Sequence, residues 1–299
     1  MKLGLIGVGQ WGKNYISTIG RMQDVSLGAV CRQSVQPPPG IPSDCAFFTN
    51  WHEMLNIIHR TNMCDGIIIS TPPDSHISIA IEAKRLGIPT MIEKPLAMTA
   101  KEVKLLMDAE GSTLFLVNHI HLFAQAYEVL REQISWPIVA IQSAKWNQGP
   151  YRDYSSLHDY GSHIIAMCID IMAKIPDTVR ATRVPTKYGE IFNVVMGWED
   201  KRGRVPAVVR VGNGGESKKH LFQVFGEGTE LEYDDISTDK LRMNGAVIDV
   251  GKESALDSAI NAFVKSIRGV CDHRCGLKTA YDVAIVLDAC VASMACSET

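Results

Sequence analysis

Two sets of polar residues have the types and spacing that proton transfer requires. The first is Glu93-Lys94-Pro95, which follows a short apolar run, and the second is Asp159 with His163, four residues further on. Residues four apart share one face of a helix, and histidine is the side chain best suited to exchange a proton near neutral pH. A lysine ammonium can orient or polarise a substrate oxygen. The structural alternatives are a solvated loop lysine, an aspartate that only caps a helix and a core histidine.

The chain opens with the glycine spacing of a phosphate-binding turn. A G-x-G-x-x-G motif lies between an apolar segment, Lys2–Ile6, and a helical segment that begins near Lys13. In this context the glycines allow a tight turn and close approach to a pyrophosphate, which faces the free N–H groups of the helix. The sequence therefore predicts a dinucleotide site; a glycine-rich turn without a ligand is the alternative. The residues assigned to this site are Gly7, Gly9, Gln10, Trp11 and Gly12.

The residue that follows the second predicted strand bears on the choice of cofactor. That strand ends at Cys31, and Arg32 stands where an acid usually binds the ribose 2′-hydroxyl. Arginine can instead pair with a 2′-phosphate, and Ser34 can donate a hydrogen bond to it. We therefore expect NADP(H) in preference to NAD(H); a solvent-facing loop arginine is the alternative.

Alternating strands and helices must position these groups. Through Asn118 the strand–helix–strand pattern predicts a doubly wound parallel sheet, whose ligands bind at the carboxyl ends of its strands. After it come a helix, a strand and a long helix, and the strand-like runs from Thr178 to about Val250 then predict an antiparallel sheet. We therefore predict two domains, residues 1–118 and 119–299. Four segments are expected to converge on one crevice: Gly7–Gly12, Thr71–His76, Glu93–Pro95 and Asn118–His121.

Composition argues against several classes of partner. The chain of 299 residues is 46% hydrophobic and 21% charged, with a net charge of −3. This balance argues against a general nucleic-acid or membrane-surface binder. No apolar run reaches the roughly 18 residues of a membrane span, and the opening residues do not form a signal peptide. The 8 cysteines include no C-x-x-C pair, so we expect reduced thiols, no metal and a cytoplasmic protein.

Together these motifs resemble those of the glucose–fructose oxidoreductase / inositol dehydrogenase / rhizopine-catabolism (Gfo/Idh/MocA) family. The resemblance covers nearly the full length and implies a Rossmann domain followed by an α+β domain with a large, open, mainly antiparallel sheet. It also implies that His163 is the general acid/base, that Lys94 assists it and binds the substrate oxygen, and that Asp159 orients. Two positions depart from the family: Arg32 replaces the acid of many members, and Ala166 replaces an aspartate. The segments that carry the resemblance are the glycine motif, Thr71-Pro72-Pro73 with His76, Glu93-Lys94-Pro95, and Asp159 with His163.

The family resemblance implies hydride transfer between a nicotinamide cofactor and a sugar, sugar nucleotide or polyol, in a homo-oligomer (dimer or tetramer) formed through the open sheet. Two alternatives remain open: reduction of an imine or other non-sugar carbonyl, and an NAD(P)-binding regulator without turnover. Aromatic stacking on a sugar ring and ordinary loop packing both explain the aromatic residues before the Asp159 helix. Besides the glycine turn, the expected cofactor contacts are Arg32, Ser34, Thr71, Pro72, His76, Glu93, Lys94 and Asn118. The expected substrate contacts are Lys94, His121, Trp146, Tyr151, Arg152, Asp159 and His163.

Overall fold

The chain folds into two compact units. The computed structural model describes residues 1–148, 152–270 and 273–296. The first unit comprises Met1–Asn118 and Ala255–Ala280, and the second comprises His119–Ser254 and Tyr281–Thr299. The chain therefore leaves the first unit after Asn118 and returns to it with Ala255–Ala280, an arrangement that a single cut in the sequence does not describe.

A six-stranded sheet forms the centre of the first unit. Its order is β3-β2-β1-β4-β5-β6, and every neighbouring pair is parallel. This is the doubly wound Rossmann order, in which ligands bind where the strand order reverses, beside the first strand. The predicted fold class of the N-terminal part is confirmed. The strands are β1 (Lys2–Ile6), β2 (Ser26–Cys31), β3 (Ala46–Phe48), β4 (Gly66–Ile69), β5 (Thr90–Glu93) and β6 (Phe115–Asn118).

Local sequence signals start the helices of this unit. A proline at the first position of α3 has a fixed φ that suits a helix start, and Thr99 with Glu102 forms a capping box at the start of α4. A Cβ on Gly66 would lie 2.9 Å from Ile267 and 3.1 Å from Phe263, so α7 packs closely against the start of β4. The helices are α1 (Gln10–Ile19), α2 (Trp51–Thr61), α3 (Pro73–Arg85), α4 (Ala100–Asp108) and, after the second unit's strands, α7 (Ala255–Ile267).

An eight-stranded sheet forms the centre of the second unit. Its order is β14-β13-β12-β11-β7-β10-β9-β8, and its neighbours are antiparallel except for β7 and β10. The predicted large, mainly antiparallel sheet is confirmed. The antiparallel run expected from Thr178 to about Val250 is interrupted at one place. There β7 lies between β10 and β11 and pairs in parallel with β10. The strands are β7 (Ala140–Gln148), β8 (Thr178–Thr186), β9 (Gly189–Asp200), β10 (Gly203–Gly212), β11 (Gly214–Gly226), β12 (Thr229–Asp234), β13 (Leu241–Met243) and β14 (Ala246–Val247).

The two faces of this sheet differ in burial. Alternate β10 residues such as Val209 are fully buried, whereas Val208 is 44% exposed and lies directly opposite Val195, which is 41% exposed. The helices α5 (Gln125–Gln133) and α6 (Ser162–Met172) contact the sheet, and α8 (Leu277–Ala295) completes the unit. An open face with paired valines is therefore left exposed in the single chain.

Several element boundaries differ from the sequence-based expectations. The predicted helix from His121 to Ile134 is a 3-10 turn, Ile120–Phe123, followed by α5. The helix predicted from Leu157 begins with a wide turn, Leu157–Gly161, of π-helical geometry, which leads into α6. No helix within the described ranges is long and apolar enough to cross a membrane.

Candidate functional site

The turn between β1 and α1 fits a bound phosphate. Gly7 has a left-handed φ of +94°, and a Cβ on Gly12 would collide with the carbonyl oxygen of Gly7. A Cβ on Gly9 would meet no atom within 4 Å, so the space in front of this residue is open. The first turn of α1 has no acidic residue, and its free amides can therefore receive an anion. Gln10 is exposed and Trp11 is half-buried beside this space.

Hydrogen bonds fasten the glycine turn to its neighbouring strands. The backbone N–H of Gly7 donates to the carbonyl oxygen of Cys31 at 3.0 Å. The hydroxyl of Ser70 donates to the carbonyl oxygen of Gly7 at 2.6 Å. The two strands that flank β1, β2 on one side and β4 on the other, therefore hold the turn in place.

His76 joins two of the segments that were expected to converge. Its Nε2 is 2.8 Å from the carbonyl oxygen of Thr71, and its Nδ1 is 3.1 Å from that of Pro95. Burial lowers the pKa of His76, although the backbone carbonyls favour its charged form. His76 is 1% exposed, and its two ring nitrogens connect the Thr71-Pro72 loop to the segment after β5 from a buried position. The structure therefore brings these two segments together, and contact of the His76 side chain with a cofactor stays a prediction.

Glu93 ends β5 inside a buried cluster with Tyr15 and Asn118. The hydroxyl of Tyr15 donates to Glu93 Oε1 at 2.6 Å, and Nδ2 of Asn118 is 2.8 Å from the same oxygen and 2.7 Å from that hydroxyl. Burial raises the pKa of the Glu93 carboxyl, against the hydrogen bonds that favour its ionised form. The other oxygen, Oε2, accepts the backbone N–H of Lys94 at 3.2 Å. Glu93 thus fixes the backbone at Lys94.

Lys94 and Asn118 lie where the ends of β5 and β6 meet the ligand edge of the sheet. The Lys94–Pro95 peptide bond is cis, and Lys94 is 8% exposed. The Oδ1 atom of Asn118 is buried and accepts no hydrogen bond from a described residue. A buried acceptor without a donor at this edge fits a ligand that brings an amide or hydroxyl group.

The end of β2 carries Arg32, as expected from the sequence. Arg32 is half-buried, and its backbone N–H donates to the carbonyl oxygen of Phe48 at 3.1 Å. The exposed Ser34 accepts a hydrogen bond from a nearby backbone amide at 3.4 Å. The carboxylate of Glu53 is also near this strand end. Burial and the charge of Glu53 together raise the pKa of the Cys31 thiol to about 11.

Asp159 and His163 are both buried at the start of α6. Asp159 lies in the wide turn before the helix and is 8% exposed, and His163 is the second helix residue and is 6% exposed. The guanidinium Nε of Arg152 is 3.6 Å from Oδ2 of Asp159. Arg152 therefore forms an ion pair with Asp159, one of the other residues expected to contact substrate.

His121 and His163 form a ring pair. Their centroids are 4.7 Å apart with an interplanar angle of 72°, and the ring of His121 is also 4.2 Å from that of His220 at the same angle. The ammonium of Lys145 is 2.5 Å from Nε2 of His121 and 3.4 Å from Nδ1 of His220. The structure therefore brings His121 close to His163 and adds two residues, Lys145 and His220, that are absent from the expected substrate contacts.

Asp235 and Lys240 extend this cluster. Asp235 Oδ2 is 3.4 Å from Nδ1 of His220, and its other oxygen is 3.0 Å from the ammonium of Lys240. Burial and the charge of Lys145 lower the pKa of His220 to about 4. Burial opposes ionisation of Asp235, but hydrogen bonds and charges from His220 and Lys240 hold its pKa below the usual range. At neutral pH His220 is therefore uncharged and Asp235 is a carboxylate.

This cluster already contains a cation of the chain itself. The ligand atoms of His121, His220 and Asp235 lie within 4.8 Å of one another, a spacing that a metal ion could use. The Lys145 ammonium, however, is within hydrogen-bond distance of both histidines, and an ammonium repels a second cation. Absence of a metal stays a prediction.

Trp146 is not brought to these histidines. Successive residues of a strand point to opposite faces, and Lys145 faces His121. The Trp146 ring instead lies 5.7 Å from the Arg210 guanidinium and 5.6 Å from the Lys219 ammonium. Tyr151, also expected to contact substrate, lies outside the described residues.

The residues that sequence reasoning missed had weak local signals. Tyr15 lies on the buried side of α1 with Ile16 and Ile19, where a tyrosine is indistinguishable from an ordinary core residue. Lys145 has the same strand parity as the buried Ile141 and Ser143. A lysine at an inward position of a strand was the signal that could have found it.

Comparison with known proteins agrees with the fold. An inositol 2-dehydrogenase of Klebsiella pneumoniae is 22% identical over 100% of this chain and 95% of that protein. A candidate oxidoreductase of Magnetospirillum magnetotacticum MS-1 superposes with a TM-score of 0.87 at 29% identity, covering 97% of this chain and 99% of that one. A UDP-N-acetylglucosamine 3-dehydrogenase of Acidithiobacillus ferrooxidans has a TM-score of 0.82 at 18% identity, covering 98% and 97%; that likeness shows the fold alone.

Residues 1–118 match the sequence model of an oxidoreductase family with an NAD-binding Rossmann fold, GFO_IDH_MocA. This match covers the β1 turn, the cis proline segment and Asn118, whose geometry is described above. Through these residues the N-terminal part of the chain matches the Gfo/Idh/MocA family of NAD-binding oxidoreductases.

Proposed function

We propose that this protein is an NADP(H)-preferring dehydrogenase or reductase. It would move a hydride between the nicotinamide ring and a hydroxyl or carbonyl carbon of a sugar, sugar nucleotide or polyol. The observation that carries the proposal is the buried pair His121–His163 in a chain whose N-terminal part matches this family and whose glycine turn is open to a phosphate. The names of the relatives support the substrate class, since one refers to inositol, a polyol, and another to a sugar nucleotide.

The residues of the first unit fit the nicotinamide cofactor. The amides at the start of α1 would hold the pyrophosphate beside Gly9, and Arg32 would pair with the 2′-phosphate, assisted by Ser34. Asn118 offers a buried acceptor oxygen. The bound cofactor supplies the hydride chemistry, and the protein supplies orientation and proton transfer.

Three side chains would handle the substrate oxygen. In the oxidation direction, a ring nitrogen of His163 accepts the hydroxyl proton as the carbon gives up its hydride. Lys94, whose backbone is fixed by Glu93, holds the same oxygen by charge and hydrogen bonding. Asp159, with its negative charge kept in place by Arg152, would orient a substrate hydroxyl or the imidazole.

Turnover of variants tests these roles. A general acid/base contributes about 10²–10⁴-fold to rate, so His163→Ala should lose at least about 100-fold in kcat while NADPH affinity stays unchanged. Lys94→Ala should lose turnover as well, and His52→Ala, which alters an exposed histidine of α2, serves as the matched control. Rates come from absorbance at 340 nm over a panel of keto-sugars, sugar nucleotides and polyols, and affinity from fluorescence titration. Full turnover in either site variant refutes the roles.

The same assay separates an enzyme from a regulator. Wild-type protein that binds NADPH but oxidises none of it with any member of the panel would favour a cofactor-binding regulator. Steady loss of absorbance with one sugar class would instead name that class as substrate.

Titration of NADPH and NADH side by side tests the cofactor preference. A hydrogen bond to a charged group contributes about 1.5–3 kcal/mol, so Arg32→Ala should weaken NADPH binding by about 10–150-fold and leave NADH nearly unchanged. Glu53→Gln is the informative companion, because Glu53 is the acid near the end of β2. Equal affinities of the wild-type protein for NADPH and NADH contradict the role of Arg32. The role is also contradicted if Glu53→Gln is the only variant that changes cofactor binding, by weakening the binding of NADH.

We also propose that the protein is a cytoplasmic homo-oligomer, a dimer or tetramer that forms through the open face of the eight-stranded sheet. The neighbouring valines Val195 and Val208, both exposed in the single chain, support this surface. The described cysteines are free thiols, which supports a reducing compartment. No nucleic-acid or membrane partner is proposed.

A further inference from the structure

Lys145 is a half-buried cation that the proposed chemistry does not use. It lies on β7 and points to the same side of the sheet as the buried Ile141 and Ser143. In register it lies opposite His220 on β11. Burying a lysine stem with its charge costs free energy unless the ammonium is well bonded, so its partners indicate what the charge is for.

One contact of the ammonium determines the state of His121. An ammonium only donates hydrogen bonds, and it lies 2.5 Å from Nε2 of His121. This nitrogen must therefore carry the lone pair, which leaves the ring hydrogen on Nδ1. Lys145 thus selects one neutral tautomer of His121 and fixes the ring plane, and His163 packs against that ring at 72°.

Charged and titratable groups surround this pair from several elements. His220 from β11 is neutral, because burial and the nearby ammonium lower its pKa. The segment after β12 contributes the carboxylate of Asp235, which contacts His220, and Lys240 contacts Asp235 from its other side. The start of α6 contributes Asp159, paired with Arg152. Tyr233 of β12 lies nearby as well, with its ring 5.4 Å from that of His220.

We propose that Lys145 is a positioning residue for the histidine pair: by donating to Nε2 of His121, it fixes the neutral tautomer and orientation of the ring against which His163 is held. The inference rests on the proposed role of His163 as general acid/base. The ammonium also opposes a positive charge on His121, so the proton accepted from the substrate hydroxyl resides on His163, which then releases it to solvent.

Nitrogen NMR of the histidine rings tests the tautomer without any substrate. In wild-type protein labelled with ¹⁵N-histidine, His121 should show a protonated Nδ1 and an unprotonated Nε2 throughout pH 6–8; assignment uses His121→Asn. In Lys145→Met the His121 signals should change, with the ring exchanging between tautomers or becoming protonated within this range. Lys145→Arg, which keeps a charged donor, should retain the wild-type pattern. A hydrogen on Nε2 of wild-type His121 overturns the proposal even if the variants do not fold.

The pH profile of turnover provides the readout that a merely structural lysine would not move. Removal of a positive charge favours protonated imidazole, so the acidic limb of the kcat profile should move up by about one pH unit in Lys145→Met. In Lys145→Arg the acidic limb should return to its wild-type position. Lys218→Met, which removes an exposed lysine of β11, should leave the profile in place. An unshifted limb together with unchanged His121 signals in Lys145→Met overturns the proposal.

These two readouts also separate this proposal from the proposed function. If the wild-type protein turns over no substrate, the proposed function fails, and the NMR spectra still decide whether Lys145 sets the His121 tautomer. If turnover is present and the tautomer does not depend on Lys145, only the positioning role fails.

Discussion

Removal of one hydroxyl group, in Tyr15→Phe, tests the cluster that fixes the backbone at Lys94. The hydroxyl donates to Glu93 Oε1 at 2.6 Å and accepts from Nδ2 of Asn118 at 2.7 Å. Asn118 keeps its bond to the same carboxyl oxygen at 2.8 Å, so the substitution leaves Oε1 with one donor in place of two. The substitution therefore removes two hydrogen bonds inside the first unit, the one donated to Glu93 and the one accepted from Asn118.

The size of the effect depends on the charge of Glu93. A hydrogen bond to an ionised group contributes about 1.5–3 kcal/mol and one between neutral groups about 1 kcal/mol. Burial raises the pKa of Glu93 above its ordinary value, so the carboxyl of the folded protein ionises at a higher pH than usual. We expect Tyr15→Phe to lower the free energy of unfolding by about 1 kcal/mol while Glu93 is protonated and by about 2–3 kcal/mol once it is ionised, so the loss should be larger at the higher pH.

Urea unfolding and calorimetry at pH 5.5 and pH 9 measure this difference. At roughly 2–4 °C per kcal/mol for a unit of about this size, the alkaline loss corresponds to a fall in Tm of about 4–12 °C. The control is Tyr281→Phe, since Tyr281 is a half-buried residue of the second unit. A loss below about 0.5 kcal/mol at both pH values, as expected for an ordinary surface change, would refute this account of the cluster.

Three further predictions concern the glycine turn, the Glu93 carboxyl and the sheet face. Gly12→Ala should destabilise the protein by about 1–3 kcal/mol because the added Cβ collides with the carbonyl of Gly7, whereas Gly9→Ala should keep its Tm and weaken NADPH binding; equal Tm losses would contradict this. Glu93→Gln should gain stability relative to wild type as pH rises above about 4.5, because a raised pKa in the folded state means that ionisation costs stability there; parallel urea midpoints from pH 4 to 9 would exclude it. Val208→Glu should shift sedimentation towards the monomer with an unchanged Tm, and an unchanged sedimentation profile would exclude this face as the interface.

Local patterns in the sequence were sufficient for much of the first unit. The buried run Ile67–Ile69, the capping box at Thr99 and the glycine turn each depend on neighbours in the chain, and all three are present. The start of α1 was placed near Lys13, three residues late, because glycine disfavours helices. Here Gly12 is inside the helix, since only a residue without a Cβ fits beside the carbonyl of Gly7.

The candidate site depends more on distant pairings, which one sequence does not reveal. Tyr15 and Glu93 are 78 residues apart, and Lys145 and His220 are 75 apart. The latter pair meets only because β7 enters the sheet between β10 and β11 in one particular register. The family motifs identified His163 and Lys94, but the side chains behind them follow from sheet order and register, which propensity does not encode.

The late return of the chain to the first unit has a consequence for its biosynthesis. The space above Gly66 is filled by Phe263 and Ile267 of α7, which leave the ribosome long after Asn118. A nascent Rossmann half would therefore expose that part of β4 until α7 (Ala255–Ile267) has been made. A fragment that ends at Asn118 should accordingly aggregate in the test tube, and adding α7 as a separate peptide should rescue it.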